Sequence, residues 1–213
     1  MNRMIFSVFL IVIICNQKPY AQSLYYEGKL IYANEFRIKD STNLAIYLSK
    51  MQPSKTVRYF KDGNSFETYN KGQYQTHLYL ESESKIYQKK WSNDTLYMFD
   101  CYKKGREIIN LSTQKNADTI LGFPCDKLEL RYKNGSTTYY YNRDVIKINP
   151  KWYSRLTFIN WHEISLILQS LPLKTVIEGD SYSLTSTVTS IIEQKVSDDI
   201  FKISLGSIII EDE

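Results

Sequence analysis

The stretch DKLELRYKNGSTTYYY, residues 126–141, decides the fold class. Leu128, Leu130 and Tyr132 alternate with Lys127, Glu129 and Arg131, which is the period of a strand with one apolar face. Asn134-Gly135 offers a two-residue turn. Folding back there sets Leu130 opposite Tyr139 and Leu128 opposite Tyr141. Residues 55–69 repeat the logic around Asp62-Gly63. A tight turn there sets Tyr59 against Phe66 and, on the other face, Arg58 against Glu67. The 18 tyrosines and the 14% aromatic content fit a sheet-rich chain, because aromatic rings favour the pleated surface.

Outward from these hairpins, strand signals continue. Residues 28–38 (GKLIYANEFRI) read as a first strand, and others are expected at 75–81, 84–91, 95–102, 106–111, 173–179, 181–193 and 199–204. Two segments carry helical spacing. In 41–51, Leu44, Tyr47, Leu48 and Met51 fall on one face before Pro53, though Leu44, Ile46 and Leu48 also alternate as in a strand. The second is clearer. Asn160 and Glu163 match a capping box, Trp161, Ile164, Leu168 and Leu171 line one face with Ile167 beside them, and Pro172 stops the helix. A sheet with one or two helices laid on it is α+β. No repeat or linker divides the chain, so residues 22–205 read as one β-rich domain and 206–213 as a solvated tail ending Glu211-Asp212-Glu213.

The start of the chain reads as a signal peptide. Arg3 precedes the apolar run 4–14, too short to span a bilayer, and cleavage after Ala21 leaves Gln22 first. No later run is long and apolar enough for a transmembrane helix. Losing Arg3 and Lys18 leaves 25 basic residues against 23 acidic ones, a net charge of +2. So balanced a chain argues against nucleic acid as partner, which needs clustered Lys and Arg. The densest basic run, Lys103-Lys104-Gly105-Arg106, reads as a solvated hairpin turn. Cys15 leaves with the signal. Cys101 and Cys125 then form either a disulfide, contributing about 3 kcal/mol in an oxidising compartment, or two buried free thiols.

No motif carries catalysis. The histidines are His77 and His162 only, and no G-x-S-x-G elbow is present. Gly179-Asp180-Ser181 is followed by no histidine and reads as a turn, as does Asp198-Asp199. There is no C-x-x-C, H-E-x-x-H, calcium loop, P-loop or dinucleotide fingerprint, so no metal and no cofactor is expected and no catalytic residue is assigned.

Several stretches together resemble a known group. They are Tyr26-Glu27-Gly28-Lys29-Leu30-Ile31-Tyr32, the Asp62-Gly63 hairpin, 119–127 with its Leu-Gly-Phe-Pro-Cys run ending at Cys125, 148–153 and Leu171-Pro172-Leu173. In this order they resemble secreted proteins of Bacteroidota that share a domain without assigned function, and the related GLPGLI family. The Gly-Leu-Pro-Gly-Leu-Ile block itself is missing, which places the chain beside that family. The group is similar in fold to the periplasmic lipoprotein carriers, LolA-like and LolB-like. The resemblance therefore implies a strongly curved, unclosed antiparallel sheet, a half-barrel, with helices against its concave face. It implies no catalytic residues.

Two functions follow as expectations for a protein of the periplasm or outer surface. In the first, a non-enzymatic binding protein takes a lipid or other apolar molecule into a cavity between sheet and helix, lined by Trp161, Ile164, Leu168, Trp152, Phe158, Tyr97 and Phe99. The helix 161–171 is then a lid, and Leu168→Arg is expected to abolish retention while sparing the fold. In the second, these residues and Trp91 are core packing, and the protein is a structural or interaction module whose partners are envelope proteins.

Overall fold

Gly28–Ile38 forms β1, with Leu30 and Tyr32 buried on one side. In the computed structural model, which describes residues 24–203 and 207–211, β1 opens a meander. It continues through β2 (Lys55–Lys61), β3 (Asn64–Tyr69), β4 (Tyr74–Leu80), β5 (Lys85–Lys90) and β6 (Leu96–Asp100), each antiparallel to the one before. A second meander holds β7 (Asn110–Ile120), β8 (Phe123–Tyr132) and β9 (Gly135–Tyr141). After a helical connection come β10 (Lys174–Glu178) and β11 (Tyr182–Glu193), and β12 (Ile209–Glu211) lies last.

Among the described residues, 12 strands form one sheet, ordered β12-β6-β5-β4-β3-β2-β1-β11-β10-β9-β8-β7. Only β12, beside β6, is parallel to its neighbour. The two edges do not pair, so the fold is an open α+β half-barrel. The concave side holds α1 (Asn43–Met51), α2 (Trp161–Leu168) and two 3-10 turns, Pro150–Tyr153 and Phe158–Asn160. Among the described residues, no helix is long and apolar enough to cross a membrane.

Three apolar clusters hold these layers together. The first joins Leu30, Tyr32, Phe60 and Tyr79 of the sheet to Ile146, Ile148 and Tyr153 of the helical connection. The second packs Leu128, Leu130, Tyr139 and Tyr141 against Ile164 and Leu168 of α2. The third lies on the opposite, convex face, where Val196 and Phe201 cover Leu78, Tyr87 and Met98, with Tyr59 and Phe66 at its margin.

The hairpin register at 55–69 is as expected, with Tyr59↔Phe66 and Arg58↔Glu67 around Asp62-Gly63. Other expectations are corrected. The β8–β9 hairpin turns at Lys133-Asn134, so Leu128 faces Tyr139 and Leu130 faces Thr137, two residues from the expected register. An even shift keeps every side chain on its face, so the buried set is unchanged. Gly135 is needed elsewhere: its φ is +119°, and a Cβ there would lie 1.9 Å from the Glu178 carbonyl oxygen of β10. β7 is far longer than 106–111 suggests. It is an edge strand, mostly exposed on both faces, so no apolar alternation marks it. Of the strand expected at 199–204, the described residues 199–203 are not extended in the sheet, since Asp198–Phe201 is a 3-10 turn whose Ser197 Oγ accepts from the Asp199 N–H at 3.2 Å, and residue 204 lies outside the described residues.

Within 41–51, residues 43–51 are helical, with Thr42 Oγ1 accepting from the Ala45 N–H at 3.1 Å as the cap. The capping box at Asn160 does not form. Asn160 sits at φ +61°, makes no capping bond, and packs against Gly105. The Lys103–Arg106 run is no hairpin turn, because it joins β6 near one sheet edge to β7 at the other. The expected tail contains β12, whereas residues 212–213 and the expected signal peptide at 1–21 lie outside the described residues.

Gly135→Ala is expected to destabilise the fold by about 3 kcal/mol, through positive φ and the collision with Glu178. Gly122→Ala has φ +83° but nothing within 4 Å, and is expected to cost about 1 kcal/mol. Urea unfolding of both variants checks this ranking.

Candidate functional site

Curvature leaves a cavity of about 590 Å³ on the concave side, walled by residues of β1–β5 and β9–β11. Helix α1 contributes Tyr47, Leu48 and Met51 at its rim, and the turn before α2 contributes Phe158 and Ile159. Tyr47 is 51% exposed, Phe158 42% and Ile159 52%, so the entrance presents apolar surface to water. An aromatic chain closes one side. Tyr79 stacks on Tyr153 at 5.9 Å, Tyr153 meets Trp161 edge-on at 6.1 Å, and Trp161 meets Tyr139 at 6.0 Å. Ile159 and Asn160 are consecutive residues in the left-handed region, an arrangement costly for a β-branched side chain. The carbonyl of Cys101 pins this turn by accepting the N–H groups of Thr157 and Phe158, each at 3.0 Å.

Across the cavity wall runs a polar row, one residue per strand: Arg58, Glu67, His77 and Gln88 stand directly opposite one another on β2, β3, β4 and β5. Arg58 and Glu67 form an ion pair. The guanidinium also lies over the rings of Tyr32 (5.4 Å) and Phe60 (5.6 Å). Burial works against the Arg58 charge, but Glu67 and the surrounding Tyr32, Tyr69 and Tyr153 together outweigh it, and the net shift is upward. Tyr69 donates to Glu67 at 2.6 Å and lies 2.9 Å from Nδ1 of His77. A phenol has one proton, and the carboxylate is its stronger acceptor, so Nδ1 of His77 is the donor to Tyr69. Burial lowers the pKa of His77, Arg58 adds to this, and the Glu67 charge opposes both. The neutral ring therefore carries its lone pair on Nε2. That atom is buried and has no hydrogen-bond partner among the described residues, and the same holds for Nε of Arg58 and Oε1 of Gln88.

The seven residues expected to line a cavity separate. Trp161 and Phe158 line it. Trp152 packs beside the first cluster, meets Tyr25 at 5.0 Å, and accepts from Tyr79 through its carbonyl at 3.2 Å. Ile164 and Leu168 are 1% and 0% exposed within the second cluster, so this face of α2 is core. Tyr97 and Phe99 lie on β6 beside Gln88 and Ile86, next to the sheet edge and outside the cavity lining. Cys101 and Cys125 are free, buried thiols and not a bridge. Burial raises both, Cys101 to about 12, which disfavours the thiolate that disulfide exchange requires.

Sequence reasoning missed the polar row. β2–β5 are covered on both faces, so apolar Tyr59 and Phe66 mark the convex side, and the charged pair points into the cavity. Extending the 55–69 register through β4 would have aligned His77 with Glu67.

No protein-family model and no curated protein sequence matches this chain. Among solved structures it is similar to PNGF-II, with a TM-score of 0.51 and 15% identity, over 88% of this chain and 31% of that one. It thus spans under a third of that protein's length. An uncharacterized conserved protein from Thermus thermophilus aligns with TM-score 0.49 and 8% identity, over 87% of this chain and 91% of the other. LprF from Mycobacterium bovis aligns with TM-score 0.33 and 10% identity, over 79% and 89%. The PNGF-II likeness establishes a shared fold, not a shared activity, and the other two are too distant to add to it.

Two outcomes follow. Leu168→Ala is expected to cost about 2–5 kcal/mol by cavity formation, and Leu168→Arg to prevent folding by burying a charge in the second cluster. This contrasts with the soluble variant expected from sequence, and circular dichroism with urea titration distinguishes them. His77, depressed in the folded state from its ordinary 6.5, binds fewer protons there than in the unfolded chain. Stability should therefore fall as pH drops below about 6.5, with no His77 contribution above it. His77→Gln should reduce the loss in urea midpoint between pH 7.5 and 5.5.

Proposed function

We propose that this chain is a non-enzymatic binding protein of the cell envelope that takes a single-chain amphiphile into its concave cavity. The observation that carries the reading is the cavity itself. Its volume of about 590 Å³ falls in the range of small-molecule sites, its wall is mainly aromatic and aliphatic, and its rim exposes Tyr47, Phe158 and Ile159 to water. Each methylene transferred from water to such a wall contributes about 0.8 kcal/mol, so an alkyl chain binds without any motif in the sequence. The resemblance of 26–32, 119–127 and 148–153 to secreted GLPGLI-related proteins with a LolA-like fold supports the same reading, as does the signal-like start. Export then places the mature protein in the periplasm or at the outer surface, and lipid is its partner class.

The expected lid is reassigned here. Because α2 is locked into the second cluster, access falls to the rim formed by α1 and the Phe158–Asn160 turn. Only Ala45 of α1 is buried, so that helix is weakly held and suited to yield.

Native mass spectrometry of the exported protein, purified without detergent, is expected to show an adduct of acyl-chain mass. In parallel, N-phenyl-1-naphthylamine is expected to fluoresce on binding. Ile177→Trp, which adds bulk to the cavity wall beside Leu184, should abolish that signal while the protein still unfolds in one cooperative transition. A clean apo mass together with no dye uptake by the wild-type protein would overturn the reading.

A further inference from the structure

We infer that the polar row on β2–β5 recognises the head group of the amphiphile, and that this head group is an uncharged polyol, as in a monoacylglycerol. The inference rests on the cavity reading above and adds the chemical class of the ligand.

The row's one cation and one anion neutralise each other, since Arg58 pairs with Glu67. Among the described residues, the only other charged side chain lining the cavity is Lys71, which is exposed to solvent. A ligand anion drawn to Arg58 would lie beside the Glu67 carboxylate, and a cation drawn to Glu67 would lie beside the guanidinium. Neither sign of charge is favoured. What remains is hydrogen-bonding capacity. Nε2 of His77 and Oε1 of Gln88 are acceptors without a donor, and Nε of Arg58 is a donor without an acceptor. Leaving such atoms unpaired is costly, so a partner supplying both functions is strongly selected. Hydroxyl groups both donate and accept. A carboxylate only accepts, and an ester oxygen only accepts. Neither can satisfy His77 or Gln88.

The placement suits an amphiphile. His77 and Gln88 stand side by side on the adjacent strands β4 and β5, about 4.8 Å apart, a spacing that the hydroxyls of one small polyol bridge, whereas Arg58 lies on β2, beyond β3. The aromatic side of the cavity, Tyr79–Tyr153–Trp161–Tyr139, offers an apolar surface for the tail. Both unpaired atoms are buried while the side chains of His77 and Gln88 line the cavity, so a head group meets them through rotation about the soft terminal torsions.

The experiment displaces N-phenyl-1-naphthylamine from the exported protein with three ligands of one tail length: 1-monopalmitoylglycerol, methyl palmitate and palmitate. The glycerol ester is expected to displace the dye at roughly tenfold lower concentration than either of the others, the effect of one to two recovered hydrogen bonds. Gln88→Leu, and separately His77→Leu, should shrink that preference to about twofold or less. Equal displacement by all three, a preference for palmitate, or an undiminished preference in the Gln88→Leu variant would each overturn the head-group assignment with the cavity reading intact. Failure of the dye and of every amphiphile to bind the wild-type protein would remove the cavity reading, and this inference with it.

Discussion

The pairing of β1 with β11 is the joint on which the rest of the structure depends. The first long strand of the chain and the last lie side by side in the middle of the sheet, in antiparallel register from Gly28↔Glu193 to Ile38↔Tyr182. Each meander is built from neighbours in sequence, but nothing else in the strand order joins them. The concave wall needs both halves: Arg58, Glu67 and His77 come from one, Tyr139, Ile177 and Leu184 from the other. A contact between residues so far apart in sequence carries a loop-closure cost that pairing between sequence neighbours avoids, so the cavity rests on the most non-local pairing in the sheet.

Period-two patterning made much of this legible. It bounded β1, set the 55–69 register and identified the 126–141 hairpin, because in each case one strand face is more apolar than the other or a turn pair fixes the phase. It failed where the physics behind it fails. β7 meets water on both faces and carries no alternation. In β2–β5 both faces are covered, so alternation cannot say which face is concave, and the charged pair Arg58–Glu67 went unrecognised as part of the site. The spacing of Ile164 and Leu168 showed correctly that they are buried, but burial against Leu128 and Leu130 differs from lining a cavity, and spacing cannot separate the two. Trp161 does both, since it borders two core clusters and the cavity.

The site combines two opposed kinds of wall. Aromatic and aliphatic side chains surround most of it, while the row from Arg58 to Gln88 brings charge and hydrogen-bonding groups into a partly desolvated place. An ion pair there does little for stability by itself, because desolvation offsets the attraction. The arrangement is costly unless it serves selection. A purely apolar pocket discriminates poorly between amphiphiles of one tail length, whereas unpaired polar atoms penalise the wrong head group strongly.

An open sheet also has two free margins, and each is a template on which another chain could add a strand. This molecule blunts both. At one margin β12 is three residues long, too short for an extended ladder. At the other, β7 breaks register between Gln114 and Asp118, where Asn116 takes a left-handed backbone, Lys115 pairs with Asp126, and Asp118 with Lys174. The kink divides a margin of 11 residues into two short pieces with charges at the break. A concentrated solution of half-barrels can thus keep their concave faces apart and unobstructed, without the closure by which a full barrel removes its edges.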